Sequence, residues 1–540
     1  MEAFDLLSTP LLLYAETHFR FFRLWPSLLF RRAPEIVFDM PRRIMRGDKI
    51  PISLVVNDVD KYPIEIQSVT IVITQGGQTR TALETVRPTS AEIPHPLARY
   101  CRAFIFWLSS SDLQGGRFHV NCKAIIAHNG GKRDVVLNDN LPTTSKAPFV
   151  GWLTEEPLPG SDRAAYGDLH VHSHYSRSHV EFGPPVAVID YMAKAYGLDF
   201  AALTDHSYDL ASRTENFLAY DPNAERWGLM LAEASKSKGY STNLIVGEEV
   251  SSANAQGKTV HLCGLGLRRF VPGSRDGARF NAPKNSTLSL PEAIGAIHAQ
   301  GGLAMAAHPG ARPGILERLL LRRGSWHACD VSSKLDIFQA LNNGFNRSWY
   351  HARRLWIDLL LSGLRLPLAA GNDSHGDFNR YRSIGIPFVS IAENPDRYLS
   401  YSRTGIYGKP SSGSEIIAAL RAGRTFVTTG PFLDIRLHDE SRETLVGNEV
   451  DPHQHSTVSI NITSSYEFGF PRLLRVFRGC YDTRKENLLE LTSLTGNKIN
   501  VLHTVGLDPK DGPGYLRAEA VCKRDDGIIT QAVTSPCLLI

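Results

Sequence analysis

The chain has 540 residues, 42% of them hydrophobic and 21% charged, with a net charge of only +4. That composition excludes a disordered or collagen-like chain and makes about three or four domains the expectation; without a clustered basic run, nucleic acid is not an expected partner. The seven cysteines (101, 122, 263, 329, 480, 522 and 537) are scattered with no Cys-x-x-Cys pair, so a reducing, cytoplasmic setting is expected.

In chain order, residues 1–40 carry two short apolar runs, Leu11-Leu12-Leu13-Tyr14 and Leu28-Leu29-Phe30, interrupted by Asp5, Glu16, Arg20 and Arg23. Neither approaches the roughly 20 apolar residues of a membrane span. No transmembrane segment is expected; this stretch is read as docking on its own protein, with a membrane-surface helix as the alternative. Residues 41–155 have period two. Ile64 and Ile66, then Val69, Ile71 and Ile73, then Phe118, Val120 and Cys122 alternate with mostly polar residues, and Gln75-Gly76-Gly77, Gly115-Gly116 and Asn129-Gly130-Gly131 supply reversals. A β-sandwich is the expectation.

After the linker Pro157-Leu158-Pro159-Gly160 the rhythm changes, and over 160–425 helical patterns alternate with short apolar runs. Helices are expected from Pro184 to Tyr196, from the Ser289/Glu292 capping-box spacing to Gln300, from Trp349 to Ser362 and from Glu415 to Ala422. Residues 426–540 return to period two, as in Val458, Ile460, Ile462 and Leu516, Ala518, Ala520, which predicts a second β domain.

Imidazoles and carboxylates cluster at the ends of the apolar runs in the central region. Asp168-Leu169-His170-Val171-His172-Ser173 places two histidines on one side of a strand, where both can face one cation. Thr204-Asp205-His206, Gly247-Glu248-Glu249, His261, His308-Pro309 and Asp373-Ser374-His375 follow. These residues, in this order over roughly 167–430, resemble the polymerase and histidinol phosphatase (PHP) family of metallohydrolases.

The resemblance implies a distorted (β/α)7 barrel, here flanked by N-terminal and C-terminal β-sandwich-like domains, holding two or three divalent ions (zinc, manganese or iron). It makes His170, His172, Glu249, His308 and Asp373 ligands of a close metal pair bridged by Glu249, with His206, His261 and His375 completing the sites. Glu249, His206 and His375 are the residues expected in catalysis, and Asp205 is expected to orient an imidazole. Relatives carry an Asp five residues after the second histidine; Arg177 stands there in this chain, which leaves His179 open as a further ligand. Gln339 receives no metal role, and Cys263 is read as an inert buried thiol.

The expected function is hydrolysis of a small-molecule substrate, most simply a phosphoester, by a hydroxide held between the metals. Arg177, Lys258, Arg312, Arg380 and Arg382 follow ligand motifs and are candidates to bind the substrate anion. A second likeness, Ala419 to Pro431, is to the junction in carbaryl-type carbamate hydrolases. It keeps carbamate or carboxylic ester hydrolysis as an alternative, with Phe217, Trp227 and Met230 as an apolar wall. An inactive barrel serving as sensor or scaffold is the third reading.

Overall fold

The architecture is that of a computed structural model, which describes residues 33–540 apart from 141–146, 177–182, 217–218, 238–241, 274–287, 315–317, 320–321, 332–333, 377, 380–382, 387–388, 393–397, 438–442, 455 and 509–511. The N-terminal segment thus lies almost wholly outside the described residues. So do His179, Arg177, Arg380, Arg382 and Phe217.

Two sheets form the N-terminal unit. One pairs Glu35–Asp39, Lys49–Asn57 and Cys101–Ser109; the other is built around Ile64–Gln75 and Gly116–His128. Ile36, Phe38, Leu54 and Phe104 pack against Val69, Ile71, Phe118 and Val120 between them. The change of phase from Ile64 and Ile66 to Val69, Ile71 and Ile73 has a physical cause. A bulge between Ile66 and Ser68 inserts one residue, so both halves of the strand keep their apolar side inward.

The central unit contributes nine strands to a long sheet: β1 (Ala164–Val171), β2 (Phe200–Leu203), β3 (Asn243–Ala253), β4 (Thr259–Leu265), β5 (Leu303–Ala306), β6 (Ile337–Asn342), β7 (Leu368–Gly371), β8 (Arg403–Tyr407) and β9 (Thr425–Thr428). Their helices are α1 (Val186–Tyr196), α2 (Ser207–Leu210), α3 (Glu225–Lys236), α4 (Leu290–His298), α5 (Arg347–Leu361) and α6 (Gly413–Arg421). Gly197, at φ 81°, closes α1 in the left-handed conformation that other residues adopt only with strain. The Ser289/Glu292 capping box starts α4.

The expected (β/α)7 barrel is not what the chain forms. Among the described residues there are six α-helices, one a single turn, against twenty-nine strands, whereas a (β/α)7 barrel would need many more helices. The sheet is mixed and curled. β1–β2–β3 and β5–β6–β7 pair in parallel, but β3–β4 and β4–β5 are antiparallel, as is β1–β8. The cause is local: Asn254 Oδ1 accepts from Gln256 N and Lys258 N, and Gly257 N donates to Asn254 O. That turn closes β3 onto β4 as a hairpin and leaves no room for a crossover helix. Curling brings the segment after β7 against the end of β1, where His172 N donates to Ser374 O at 2.9 Å.

Past β9 the sheet continues into C-terminal strands Ile529–Thr534, Gly514–Lys523 and Phe470–Cys480, over which Phe432–Arg436, Thr457–Thr463 and Asn500–Gly506 form a second layer. Helix α5 is tied to this part by a buried ion network. Arg517 binds Glu486 through Nε and Nη2, both at 2.7 Å, and Glu519 at 2.6 Å, while Arg353 of α5 reaches Glu519 at 2.8 Å. Burial opposes ionisation of Glu519, but Arg517 and Arg353 outweigh it and hold the carboxyl below its ordinary 4.5. A depressed folded pKa stabilises above the unfolded value and is lost as pH falls through the folded one. Glu519→Gln is therefore expected to cost about 3–5 kcal/mol near pH 7, with the gap to wild type closing below pH 4.5. Urea midpoints across pH 3–8 check this; a gap independent of pH would refute it.

Two N-terminal contacts brace the central unit where its polar side chains gather. Asp39 accepts from Phe378 N (3.0 Å) and Asn379 N (2.9 Å), and Asn379 pairs with the Val150 backbone through both amide atoms. Phe378 and Asn379, shortly after His375, are thereby held in place. No helix among the described residues is long and apolar enough to cross a membrane.

Candidate metal centre

Glu249 is the centre of the site. On β3 it stands opposite Cys263 of β4, while His261 stands opposite Ser251, so His261 is its diagonal neighbour on the same face. Its Oε1 lies 2.7 Å from His261 Nδ1, 3.0 Å from His308 Nε2 and 3.4 Å from His170 Nε2. Its Oε2 lies 2.8 Å from His206 Nδ1 and 3.6 Å from His172 Nε2. Asp373 Oδ1 adds contacts to His172 Nε2 at 3.1 Å and His170 Nε2 at 3.5 Å, and the His375 ring stacks on His172 with centroids 4.0 Å apart. All eight residues named as metal ligands from the sequence are thus brought together.

Local backbone makes this convergence possible. Gly371 ends β7 beside His170, and a Cβ there would come within 2.5 Å of the His170 Cβ. His308 (φ 31°) and Asp373 (φ 50°) both occupy the left-handed region, which costs about 1–3 kcal/mol each for residues with a side chain. Strain of that kind, at two strand ends aimed into one cluster, is what functional sites carry.

Burial raises Glu249, but His261 and His170 outweigh it and hold the carboxyl well below the usual carboxylate range. Burial with His375 and His206 pushes His172 well below the ordinary imidazole value, leaving it neutral. Burial also opposes charge on His170, yet Cys263 and Glu249 raise it overall; a cation on Nε2 would stand in for that proton. Three overlapping groups of donor atoms, each within 4.8 Å, could hold a metal ion: His172, His206 and His375; His170, His172, Glu249 and Asp373; and His206, Glu249 and His261. The buried His172 Nε2, His206 Nδ1 and Glu249 Oε2 converge without a well-aligned hydrogen bond, although His206 Nδ1 and Glu249 Oε2 are only 2.8 Å apart. Poorly bonded buried donors of this type cost free energy without a partner, so the residues present fit a cation.

Outer partners fix the imidazoles. Gln339 Oε1 accepts from His308 N (3.2 Å), which identifies it as the oxygen, and lies 3.0 Å from His170 Nδ1. That atom therefore carries the proton and Nε2 the lone pair. Gln339, given no metal role from the sequence, orients His170 instead. Asp205 acts less directly than expected. It accepts from Ser173 N, Ser173 Oγ and Ser176 N, and Ser176 Oγ then meets His172 Nδ1 at 3.0 Å. Gln339→Leu is expected to weaken metal binding roughly 10–100-fold, read by competitive metal titration; an unchanged affinity would show that the tautomer of His170 is set elsewhere.

The anion candidates fare differently. Lys258 and Arg312 are exposed and outside the cluster, and Arg177, Arg380 and Arg382 lie outside the described residues. Trp227 and Met230 are buried in the main core rather than forming a wall over the site. Cys263 is buried, its Sγ 3.9 Å from His170 Nδ1, and burial pushes its thiol up. One residue was missed: Arg323, whose Nη1 lies 3.2 Å from His261 Nδ1. Burial pulls its guanidinium down to about 10 against the opposing pull of Asp373, so it keeps its charge at neutral pH. No motif marks it.

No protein-family model matches the chain, and no curated protein does. Among solved structures, murine CRIg aligns at 10% identity and a TM-score of 0.14, covering 22% of this chain and 95% of that one. The native conformation of Escherichia coli alpha-2-macroglobulin aligns at 9% identity and 0.15, covering 93% and 22%. A Parabacteroides merdae beta-glucuronidase aligns at 8% identity and 0.17, covering 94% and 65%. Likenesses at such TM-scores establish no shared fold and transfer no function.

Proposed function

We propose that this chain is a metal-dependent hydrolase of the kind the PHP resemblance implies, acting on phosphate esters. The observation that supports it most is the shell of five imidazoles around one buried, ionised carboxylate, in which three converging buried atoms lack a well-aligned hydrogen bond. A fully satisfied structural network would not leave them so.

His170, His172, Glu249, His308 and Asp373 would hold a close pair of divalent ions, and His206, His261 and His375 would complete the coordination or take a third. Bound there, the ions supply a water acidic enough to attack at neutral pH and an electrophile for the substrate oxygen. Nitrogen and oxygen donors of this kind accept zinc, manganese or iron. The chain's own part is geometric and electrostatic. Gln339 and Ser176 hold His170 and His172 in fixed orientations, and Glu249 contributes negative charge at the centre. Whichever of His206 and His375 is not taken up as a ligand would protonate the leaving oxygen.

Metal analysis combined with a screen of aryl phosphate, phosphodiester, carbamate and carboxylate esters tests this. Two or three ions per chain and metal-dependent turnover of a phosphate ester are expected, both lost in the His170→Ala, His172→Ala double variant. Fewer than one ion per chain after reconstitution with zinc and with manganese would end the hydrolase reading; faster carbamate cleavage would reassign the bond.

A further inference from the structure

The chain leaves the metal centre at His308 in a turn, Ala311 N donating to His308 O at 2.9 Å, and Arg312 follows at once. That turn packs on α5. A Cβ on Gly310 would overlap Ser348 O and crowd the Ala352 Cβ, so only glycine lets the two backbones approach this closely. From His308 to Arg312 the chain can reach at most about 14 Å even fully extended. Arg312 therefore stays beside both the metal centre and the side of α5 that carries Ser348 and Ala352. The helix presents cations of its own: Arg347, His351 and Arg354, spaced four and three residues apart, share one side of it.

The imidazole of His351 reflects how closely these groups gather. Burial, then Arg312, Arg347 and Arg354, hold it below its ordinary value, and its Nε2 is buried without a hydrogen-bond partner. Arg312 and Arg354 are exposed, and among the described residues neither is paired with a carboxylate. Asp358, one turn further along α5, makes no ion pair with Arg354. A chain whose net charge is only +4 thus concentrates unanswered guanidiniums at one edge of its metal centre. An anion would answer them, since arginine's planar fork of donors matches phosphate and carboxylate oxygens alike. Arg312 and Arg354 are not part of the cluster that would hold the scissile phosphate, so the group they suit is a second one on the same molecule.

We infer that the substrate carries a second anionic group, a phosphate or carboxylate remote from the bond that is cut, and that Arg312 and Arg354 bind it. This rests on the metal-hydrolase reading, and the two can fail separately. The probes are alkanediol bisphosphates of graded chain length, the matching alkyl monophosphates, and monophosphates whose far end is a carboxylate. Each is titrated by calorimetry into the metal-loaded full chain, and kcat/KM is measured in parallel. At the length that fits, wild type binds a doubly anionic probe roughly 10–100-fold tighter than the monophosphate, the gain expected from one or two charge-assisted bonds. Bisphosphate and carboxylate arms show which group the site takes. In the Arg312→Met, Arg354→Met double variant that ratio falls toward one, and in Arg312→Lys, Arg354→Lys most of it returns, with metal content and melting temperature equal in all three proteins. No preference in wild type at any length overturns the inference, and so does a preference that survives in the Met variant. An arginine-dependent preference without turnover of any probe sustains it and removes the hydrolase reading instead. Turnover of the monophosphates with no such preference does the reverse.

Discussion

Glu249→Gln is expected to strip the site of most of its metal affinity and to lower turnover well beyond the roughly 10–100-fold that loss of an outer partner costs. Its neighbour Glu248→Gln is expected to leave metal content near wild type. Adjacent strand residues face opposite ways, so one substitution strikes the cluster and the other the opposite face. There Glu248 Oε1 accepts from Val271 N at 2.6 Å, and burial raises its carboxyl well above the ordinary 4.5. An acid with a raised folded pKa loses stability as pH climbs from the unfolded value toward the folded one. Glutamine never ionises and is free of that loss. Glu248→Gln should therefore match wild type below pH 4.5 and become the more stable protein as pH rises above it. Elemental analysis and thermal melts at pH 4, 6 and 8 read both effects. A reversed ranking of the two variants would place the strand register one residue away.

Much of this site is legible in the residues, and the parts that are not have identifiable causes. His170, His172, His206, His308 and Asp373 stand at or just past strand ends and Glu249 lies within β3, each beside an apolar run that makes it conspicuous. The architecture around them was misjudged because Asn254-Ala255-Gln256-Gly257 reads as an ordinary loop, while its side-chain hydrogen bonds make it a hairpin turn that reverses β4. Gln339 was visible, yet its role depends on which nitrogen of His170 is protonated, a property no local pattern carries. Non-glycine residues at positive φ, such as His308 and Asp373, leave no mark in sequence. Trp227 and Met230 suggested a wall over the site because they fall in the stretch between His206 and Glu249. Packed on the inner face of α3, they belong to the core. Arg323 lies far from every ligand motif, and only the pairing of its segment with Thr259 brings it in.

Chelation of the loaded protein should lower its melting temperature sharply and reversibly. A ligand that binds only the folded state at a thousandfold excess over its dissociation constant stabilises by about 4 kcal/mol, and two or three ions would add further increments. The effect should also be local. Ligands come from β1, β3 and β4 and from the segments after β1, β2, β5 and β7, so the ions would add ties between elements already joined by strand pairing, the Ser374 contact and side-chain bonds such as Ser173 to Asp205 and Asn372 to Asp168. Hydrogen exchange after chelation is therefore expected to rise in residues 167–176, 204–209, 247–263, 304–308 and 371–376. The N-terminal core around Phe38, Leu54 and Phe118 shares no side chain with the cluster and should stay protected. The strained backbones of His308 and Asp373 sharpen the expectation, because their conformations lose their counterpart once nothing draws the two side chains inward. A melting temperature and exchange pattern untouched by chelation would mean that the imidazoles and Glu249 satisfy one another unaided, and that the cluster is structural rather than a metal centre.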